Sequence, residues 1–175
     1  PEVVLDNETA YDWKFPFEYD VGLFWFAADE DGRAQAKKFE GSTSPGKRFY
    51  DPSKPIMIYL HGWERGTGQR GFRETFNWGA NYTLVAEPER DVCMVKTWKE
   101  QGWNIGVFYW NQHSDEDRVV DAETKIWNSK GSKGMRWKQK DPVTGVMKYV
   151  TKGPGTDTTY NAAELFANEF VRATA

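Results

Sequence analysis

A histidine-glycine-tryptophan step directly follows an apolar run of the sequence. His61, Gly62 and Trp63 come after PIMIYL at 55–60, and three further glycines follow at once. Glycine lets the backbone approach a ligand closely, and a strand that ends in such a loop can aim main-chain N–H groups at a developing oxyanion. The pattern predicts that the backbone N–H of Trp63 is an oxyanion donor and that Gly62 and His61 shape its loop. The alternative is a tight turn in which the histidine hydrogen-bonds the loop.

A second polar cluster follows another apolar run. His113, Asp115, Glu116 and Asp117 place one imidazole and three carboxylates within five residues. Such a group could bind a divalent metal. The alternative is a helix cap with a solvated loop, because polar runs after strands are usually of that kind and Ser114 and Asp117 have the spacing of a loose capping box. The second interpretation is preferred, so neither a metal nor a cofactor is predicted.

Other reactive and aromatic side chains are better explained by structure than by chemistry. A basic stretch around Trp137 could meet an anionic surface, although a solvated hairpin explains it better. Cys93, the only cysteine, excludes an internal disulfide and is expected as a buried thiol on a helix. Several tryptophans could stack on sugars or acyl chains, but most are expected in the core. The basic residues are Lys130, Lys133, Arg136, Lys138 and Lys140, and the tryptophans are Trp63, Trp78, Trp103, Trp110 and Trp127.

Unbroken apolar runs predict the strands that carry these residues. They span 21–27, 55–60 and 104–110 and lack alternation, which suits strands buried on both faces of a parallel sheet. The three-to-four spacing of apolar residues predicts a helix at 88–101. Strand, helix and strand of these lengths form a βαβ unit, so 55–60 should be a buried strand parallel to 104–110.

Two helices and a hairpin are predicted after the third run. Helical periodicity covers 115–128 and, most clearly, 158–174, where Thr158 or Thr159 could cap the first turn. Two short alternating runs around a Pro/Gly turn predict a β-hairpin within 129–155.

Length and composition limit the class of protein. The chain has 175 residues, 23 Lys and Arg against 26 Asp and Glu, and a net charge of −3. One domain over 1–175 is expected, and the missing basic excess argues against nucleic acid as the main partner. No stretch nears the roughly 20 apolar residues that span a bilayer, so no transmembrane segment is predicted. Sequons at Asn7 and Asn81, with Pro1 as first residue, favour a processed, secreted glycoprotein.

The order of these segments resembles the N-terminal half of a secreted lipase-like α/β-hydrolase of the pancreatic-lipase-like superfamily. The strand ending in His-Gly-aromatic is KPIMIYLHGWERG, and the helix, next strand and Trp-containing turn are WKEQGWNIGVFYWNQHSDE, followed by DAETKIW. The preceding strand of those lipases is similar to VGLFWFAADEDG. The likeness covers roughly 20–128 and the final helix. It implies the N-terminal portion of an α/β-hydrolase fold, a mostly parallel sheet with flanking helices, and a lipid or ester substrate.

The chain departs from that family in one respect. The family's nucleophile stands in Gly-x-Ser-x-Gly, and this sequence has no such motif. Since acid and histidine follow the nucleophile along the chain, all three would lie beyond Ala175. The resemblance then implies a chain that is not catalytic alone and is completed by a C-terminal chain of the same precursor, which adds a strand beside 55–60. The alternatives are a non-catalytic secreted binding, storage or toxin-like glycoprotein on the same scaffold, or a truncated chain.

Overall fold

The computed structural model describes residues 13–29, 34–74, 77–78, 92–131 and 133–175. Short strands and helices fill these ranges. In chain order they are β1 (Gly22–Ala28), β2 (Ala34–Lys38), a 3-10 helix (Pro45–Phe49), β3 (Ile56–Leu60), α1 (Thr67–Arg70), β4 (Asn77–Trp78), β5 (Val92–Cys93), α2 (Met94–Glu100), β6 (Asn104–Tyr109), α3 (Asn111–Ser114), α4 (Val119–Trp127), β7 (Trp137–Lys140), β8 (Met147–Val150) and α5 (Ala162–Thr174).

The main sheet has four strands in the order β2, β1, β6, β3. β1 and β2 are antiparallel, as are the separate pairs β4–β5 and β7–β8. β6 and β3 are parallel. The N–H of Asn104 donates to the Pro55 carbonyl at 2.8 Å where both strands begin, and the N–H of Trp110 reaches the His61 ring just beyond their ends.

The predicted fold class, the N-terminal portion of an α/β-hydrolase with a mostly parallel sheet and flanking helices, is wrong. The described strands pair mostly antiparallel, with one parallel pair, and few helices accompany them. An unbroken apolar run indicates burial on both faces of a strand but does not fix the direction of its neighbours. β1 is such a strand, because residues 23–27 are all buried, yet the chain returns at once to place β2 antiparallel to it.

The predicted parallel pairing of 55–60 with 104–110 is confirmed, but the predicted burial of the first strand is wrong. β6 is buried along its whole length. β3 stands at the end of the sheet order and is half-buried or exposed, with Leu60 48% exposed. A terminal strand has one neighbour instead of two, and this leaves its side chains less covered.

The helices between and after these strands are shorter than predicted. α2 begins at Met94 and not at 88; residues 88–91 lie outside the described ranges, and Cys93 belongs to β5 and not to the helix. The helix predicted at 115–128 is α4 with α3 before it.

The last helix begins later than predicted because a different residue caps it. The Asn161 side chain accepts from the Glu164 N–H, and the Glu164 carboxylate accepts from the Asn161 N–H, each at 2.9 Å. This capping box fixes the start of α5 at Ala162, so neither predicted threonine is the cap. The predicted hairpin is confirmed as β7 and β8.

The chain divides into two compact units. The first comprises the described parts of Phe24–Tyr59 and Glu74–Val107, and within it the Trp25 ring stacks on Tyr50 at 4.8 Å between centroids. The second comprises Trp13–Leu23, Leu60–Arg73 and Phe108–Ala175. The single-domain assignment stays a prediction. None of the helices in the described ranges has the length and apolar character that a bilayer span needs.

Candidate functional site

The loops that follow β3 and β6 lie together in the second unit. The Trp110 N–H donates to His61 Nε2 at 3.0 Å, and the Trp110 indole N–H donates to the His61 carbonyl at 2.8 Å. Their rings stack with centroids 5.8 Å apart. These loops meet because the carboxyl ends of a parallel pair reach the same edge of the sheet.

His61 is buried and neutral. Burial lowers the pKa of its imidazole from 6.5 to about 4. Because Nε2 accepts a hydrogen bond from Trp110, the proton lies on Nδ1, which faces the Gly62 carbonyl at 3.0 Å. Both ring nitrogens are engaged, so His61 holds its loop and has no nitrogen left to act as a general base.

Trp63 is fixed through its side chain and not through its backbone. The indole N–H donates to the Glu116 carbonyl at 2.8 Å, while 42% of the residue is exposed. Its backbone N–H, like that of Gly62, has no hydrogen-bond partner among the residues that the structure describes. No acceptor within the described part of the chain therefore occupies the predicted oxyanion donor, and its role stays a prediction.

Asp115 binds the glycine-rich part of the same loop. The Gly66 N–H donates to Oδ1 at 2.8 Å, and the Gly68 N–H donates to Oδ2 at 3.0 Å. Lys138 pairs with Oδ1 at 3.2 Å. Two of the loop's amides thus serve a carboxylate within the chain, so the N–H groups of Gly66 and Gly68 are not free to bind a ligand.

Glu116 is the centre of a buried charge network. Its side chain is fully buried and accepts from Lys125 Nζ at 2.6 Å, Arg136 Nε at 2.9 Å and the Tyr149 hydroxyl at 2.8 Å. Burial alone would raise the pKa of Glu116, but the hydrogen bonds from Arg136 and Lys125 outweigh it and lower the pKa to about 2. Lys125 also donates to the carbonyls of His113 and Arg136, at 2.9 and 2.7 Å, so all three of its N–H groups are used.

The four residues considered as a metal cluster each bind protein groups, and the two aspartates share Lys138. His113 Nε2 lies 3.2 Å from the Tyr19 hydroxyl, and Nδ1 lies 3.2 Å from the Arg136 carbonyl. Asp117 pairs with Lys138 at 3.1 Å, while the other two carboxylates bind the groups given above. Within the described parts of the chain, no three His, Cys, Asp or Glu side chains are grouped so that they could hold a metal ion.

A second buried ion pair joins segments that the sequence does not connect. The fully buried guanidinium of Arg73 donates to Asp20 Oδ2 at 3.0 Å and lies over the rings of Phe15 and Tyr109, 4.6 and 4.7 Å from their centroids. Sequence analysis missed this pair because 53 positions separate its members. It also missed Lys125, although that residue follows Ala122 by three positions and so falls on the predicted apolar face of its helix.

The remaining predicted residues show little sign of a ligand site. Lys133 and Arg136 pair with acidic groups of the same unit, which weakens the case for an anionic partner. Trp110 is buried and Trp127 is 71% exposed, whereas Trp103 packs edge-on against Trp98. Asn7 and Asn81 lie outside the described residues, as do the side chains of Trp78 and Cys93.

The described residues of the second unit contain a main-chain N–H without an acceptor, at Trp63, but no nucleophile to act with it. Both histidines of the chain have their ring nitrogens engaged, so the described residues contain no nucleophile paired with a histidine base. Comparison of the chain with protein-family models, with curated proteins and with solved structures found no match.

Acid should begin to destabilise the protein at pH values well above those at which carboxylates usually titrate. Burial lowers the pKa of His61 to about 4 and that of His113 to about 3, against 6.5 in an unfolded chain. Below pH 6.5 the unfolded state takes up protons that the folded state refuses, so stability falls with pH until the folded pKa values are reached. Glu116 acts in the same direction below 4.5 because its folded pKa is about 2.

Urea unfolding at several pH values tests this dependence. Each pKa unit corresponds to about 1.4 kcal/mol, so the two imidazoles should remove several kcal/mol between pH 6.5 and 4. The variant His113→Gln cannot titrate at that position and should show a shallower decline. Equal free energies of unfolding at about pH 7.5 and about pH 4.5 would contradict the buried, neutral imidazoles.

Proposed function

We propose that this chain supplies the oxyanion-binding part of a secreted, lipase-like carboxylic-ester hydrolase. A C-terminal chain of the same precursor then carries the serine nucleophile with its acid and histidine. The observation that carries the proposal is the backbone N–H of Trp63, which has no acceptor among the described residues while the loop around it is fixed. A donor held in place before the reaction stabilises a developing oxyanion without the cost of reorganisation.

The loop that follows β3 is fixed at three points along its length. Trp110 holds His61 by two hydrogen bonds at the start of the loop. Glu116 accepts from the indole of Trp63 in its middle, and Asp115 accepts from the glycine amides beyond it. A main-chain donor between such anchors has little freedom to turn away from a bound carbonyl.

An oxyanion hole of this kind needs a second donor. In hydrolases with the Gly-x-Ser-x-Gly motif, that donor is the backbone N–H of the residue after the nucleophile. A companion chain that brings the nucleophile would bring this donor with it. The Trp63 N–H would then be half of the site, which agrees with the lack of a nucleophile-histidine pair among the described residues.

Exposed apolar side chains of the second unit support a companion chain. Leu60 is 48% exposed, Val171 of α5 is 65% exposed and Trp127 at the end of α4 is 71% exposed. β3 is the terminal strand among the described members of the main sheet. A strand added there, with its flanking elements, would remove more than ~1,000 Å² from water, which is the size of a stable interface.

Chemical labelling of the isolated protein tests the proposal. The protein, with any chain that co-purifies, is assayed on short-chain nitrophenyl esters and treated with a fluorophosphonate, which reacts with activated serines. We expect ester turnover and one adduct, on a serine of the companion chain. An absence of both turnover and adduct would contradict the proposal, as would an adduct on the present chain.

A non-catalytic binding, storage or toxin-like glycoprotein is the second candidate function. The engagement of every histidine ring nitrogen favours it, because the chain then contributes no free imidazole as a base. The two candidates differ in the companion chain. A companion that lacks a serine between glycines and forms no adduct would establish the non-catalytic function.

A further inference from the structure

We infer that Asp115 is a positioning residue for the oxyanion donor, because its carboxylate fixes the glycine-rich segment that begins three residues after Trp63. The inference rests on the proposed function, since it assigns a role to the same donor. Asp115 itself contacts neither the Trp63 N–H nor a substrate. It acts through the backbone of Gly66 and Gly68.

The carboxylate binds the loop with both of its oxygens. Oδ1 accepts from Gly66 at 2.8 Å and Oδ2 accepts from Gly68 at 3.0 Å, and only 1% of the residue is exposed. Hydrogen bonds from main-chain amides to a carboxylate are stronger than those between neutral groups. Two such bonds to one rigid group fix both the position and the orientation of the segment that follows Trp63.

Gly68 is a glycine because the carboxylate lies so close to it. A Cβ atom at this position would lie 3.0 Å from Asp115 Oδ2 and 2.7 Å from the Cε of Met147. Gly66 has a φ of +77°, which side-chain-bearing residues rarely adopt. A methyl group at Gly68 would therefore crowd the end of the Met147 side chain first and the Asp115 carboxylate next, so a glycine at this position suits the close approach of both.

Glu116, the residue after Asp115, also binds the loop. Glu116 accepts from the Trp63 indole through its carbonyl, so two successive residues hold the loop on either side of the Trp63–Gly66 step. Lys138 pairs with both Asp115 and Asp117, which balances the charge of the buried carboxylate. The turn after β6 thus holds the loop after β3 through hydrogen bonds to two successive residues.

The variant Asp115→Asn tests the inference in the complete assembly. Asparagine keeps one acceptor but presents an NH₂ group to a glycine N–H, so one of the two bonds is lost. We expect kcat for ester hydrolysis to fall about 10- to 10²-fold with KM changed less than about twofold, because the donor acts on the transition state. Amide hydrogen exchange at Gly66 and Gly68, whose N–H groups donate to Asp115, should accelerate. Asp117→Asn is the matched control and should leave both measurements unchanged.

A second variant tests the positioning role in case Asp115→Asn does not fold. Gly68→Ala crowds the carboxylate at the residue whose N–H it binds and should reproduce the fall in kcat, and its effect should not add to that of Asp115→Asn. Unchanged turnover despite faster exchange, or lost turnover with unchanged exchange, would overturn the positioning role. If the unaltered assembly hydrolyses no ester, the proposed function fails. The exchange rates at Gly66 and Gly68 then still decide whether Asp115 holds the loop.

Discussion

Inserting one glycine between Gly62 and Trp63 should lower ester turnover of the complete assembly by ~10²–10³-fold, the effect of removing one oxyanion donor. The insertion moves the backbone N–H of Trp63 by one residue, while Trp110 and Asp115 continue to hold the two ends of the loop. Because the donor is needed only as charge develops on the oxygen, kcat should carry the loss and KM should change little. Steady-state kinetics on a nitrophenyl ester measure both constants.

Two control variants distinguish the displacement of the Trp63 N–H from a general disturbance of the structure. Trp63→Phe removes the indole bond to Glu116 but keeps the main-chain N–H, so it should cost much less than the insertion. A glycine inserted between Thr144 and Gly145, in the exposed turn of the hairpin, should leave turnover unchanged. Full activity after the insertion at Trp63 would reject the assignment of this N–H.

Replacing Glu116 by glutamine should lower the free energy of unfolding by about 3–5 kcal/mol, as for other broken buried ion pairs. The carboxylate accepts from Lys125, Arg136 and Tyr149 at the same time. Glutamine has one acceptor oxygen, and its NH₂ group would face the donors of Lys125, Arg136 and Tyr149. It also leaves the buried ammonium of Lys125 without the negative charge of Glu116. Urea unfolding followed by tryptophan fluorescence measures the change.

Asp117→Asn is the matched comparison for that substitution. Its carboxylate is next in sequence but 63% exposed, and it pairs only with Lys138, which keeps Asp115 as a second partner. An exposed pair of this kind contributes less than about 1 kcal/mol. Similar losses for the two variants would show that burial of the Glu116 network is not what stabilises the fold.

The sequence predicted local features better than it predicted strand direction. The runs at 55–60 and 104–110 are adjacent and parallel, because the segment between them is long enough for a crossover. The run at 21–27 was equally apolar, yet the chain after it turns back into the antiparallel β2. The apolar run predicted burial correctly for β6 but not for the terminal strand β3, and the direction of each strand depends on the connection that precedes it.

The candidate site was only partly predictable for a similar reason. The His-Gly-Trp step marks the loop that follows β3, and the residue types alone can show that. Asp115 is assigned by the sequence to a cap or solvated loop, with a metal site as the less favoured alternative, but it is buried and accepts from the main-chain amides of Gly66 and Gly68, nearly 50 positions away. No spacing rule connects residues whose contact depends on how two strands pair.

Native mass spectrometry of the isolated protein tests the central claim most directly. The claim is that this chain, with its oxyanion donor at Trp63, is one part of an assembly whose nucleophile lies on a second polypeptide. The account predicts a stable complex heavier than the 20.2 kDa of this chain, with a companion that takes up one fluorophosphonate. A folded, monodisperse 20.2 kDa species with no companion and no adduct would contradict it.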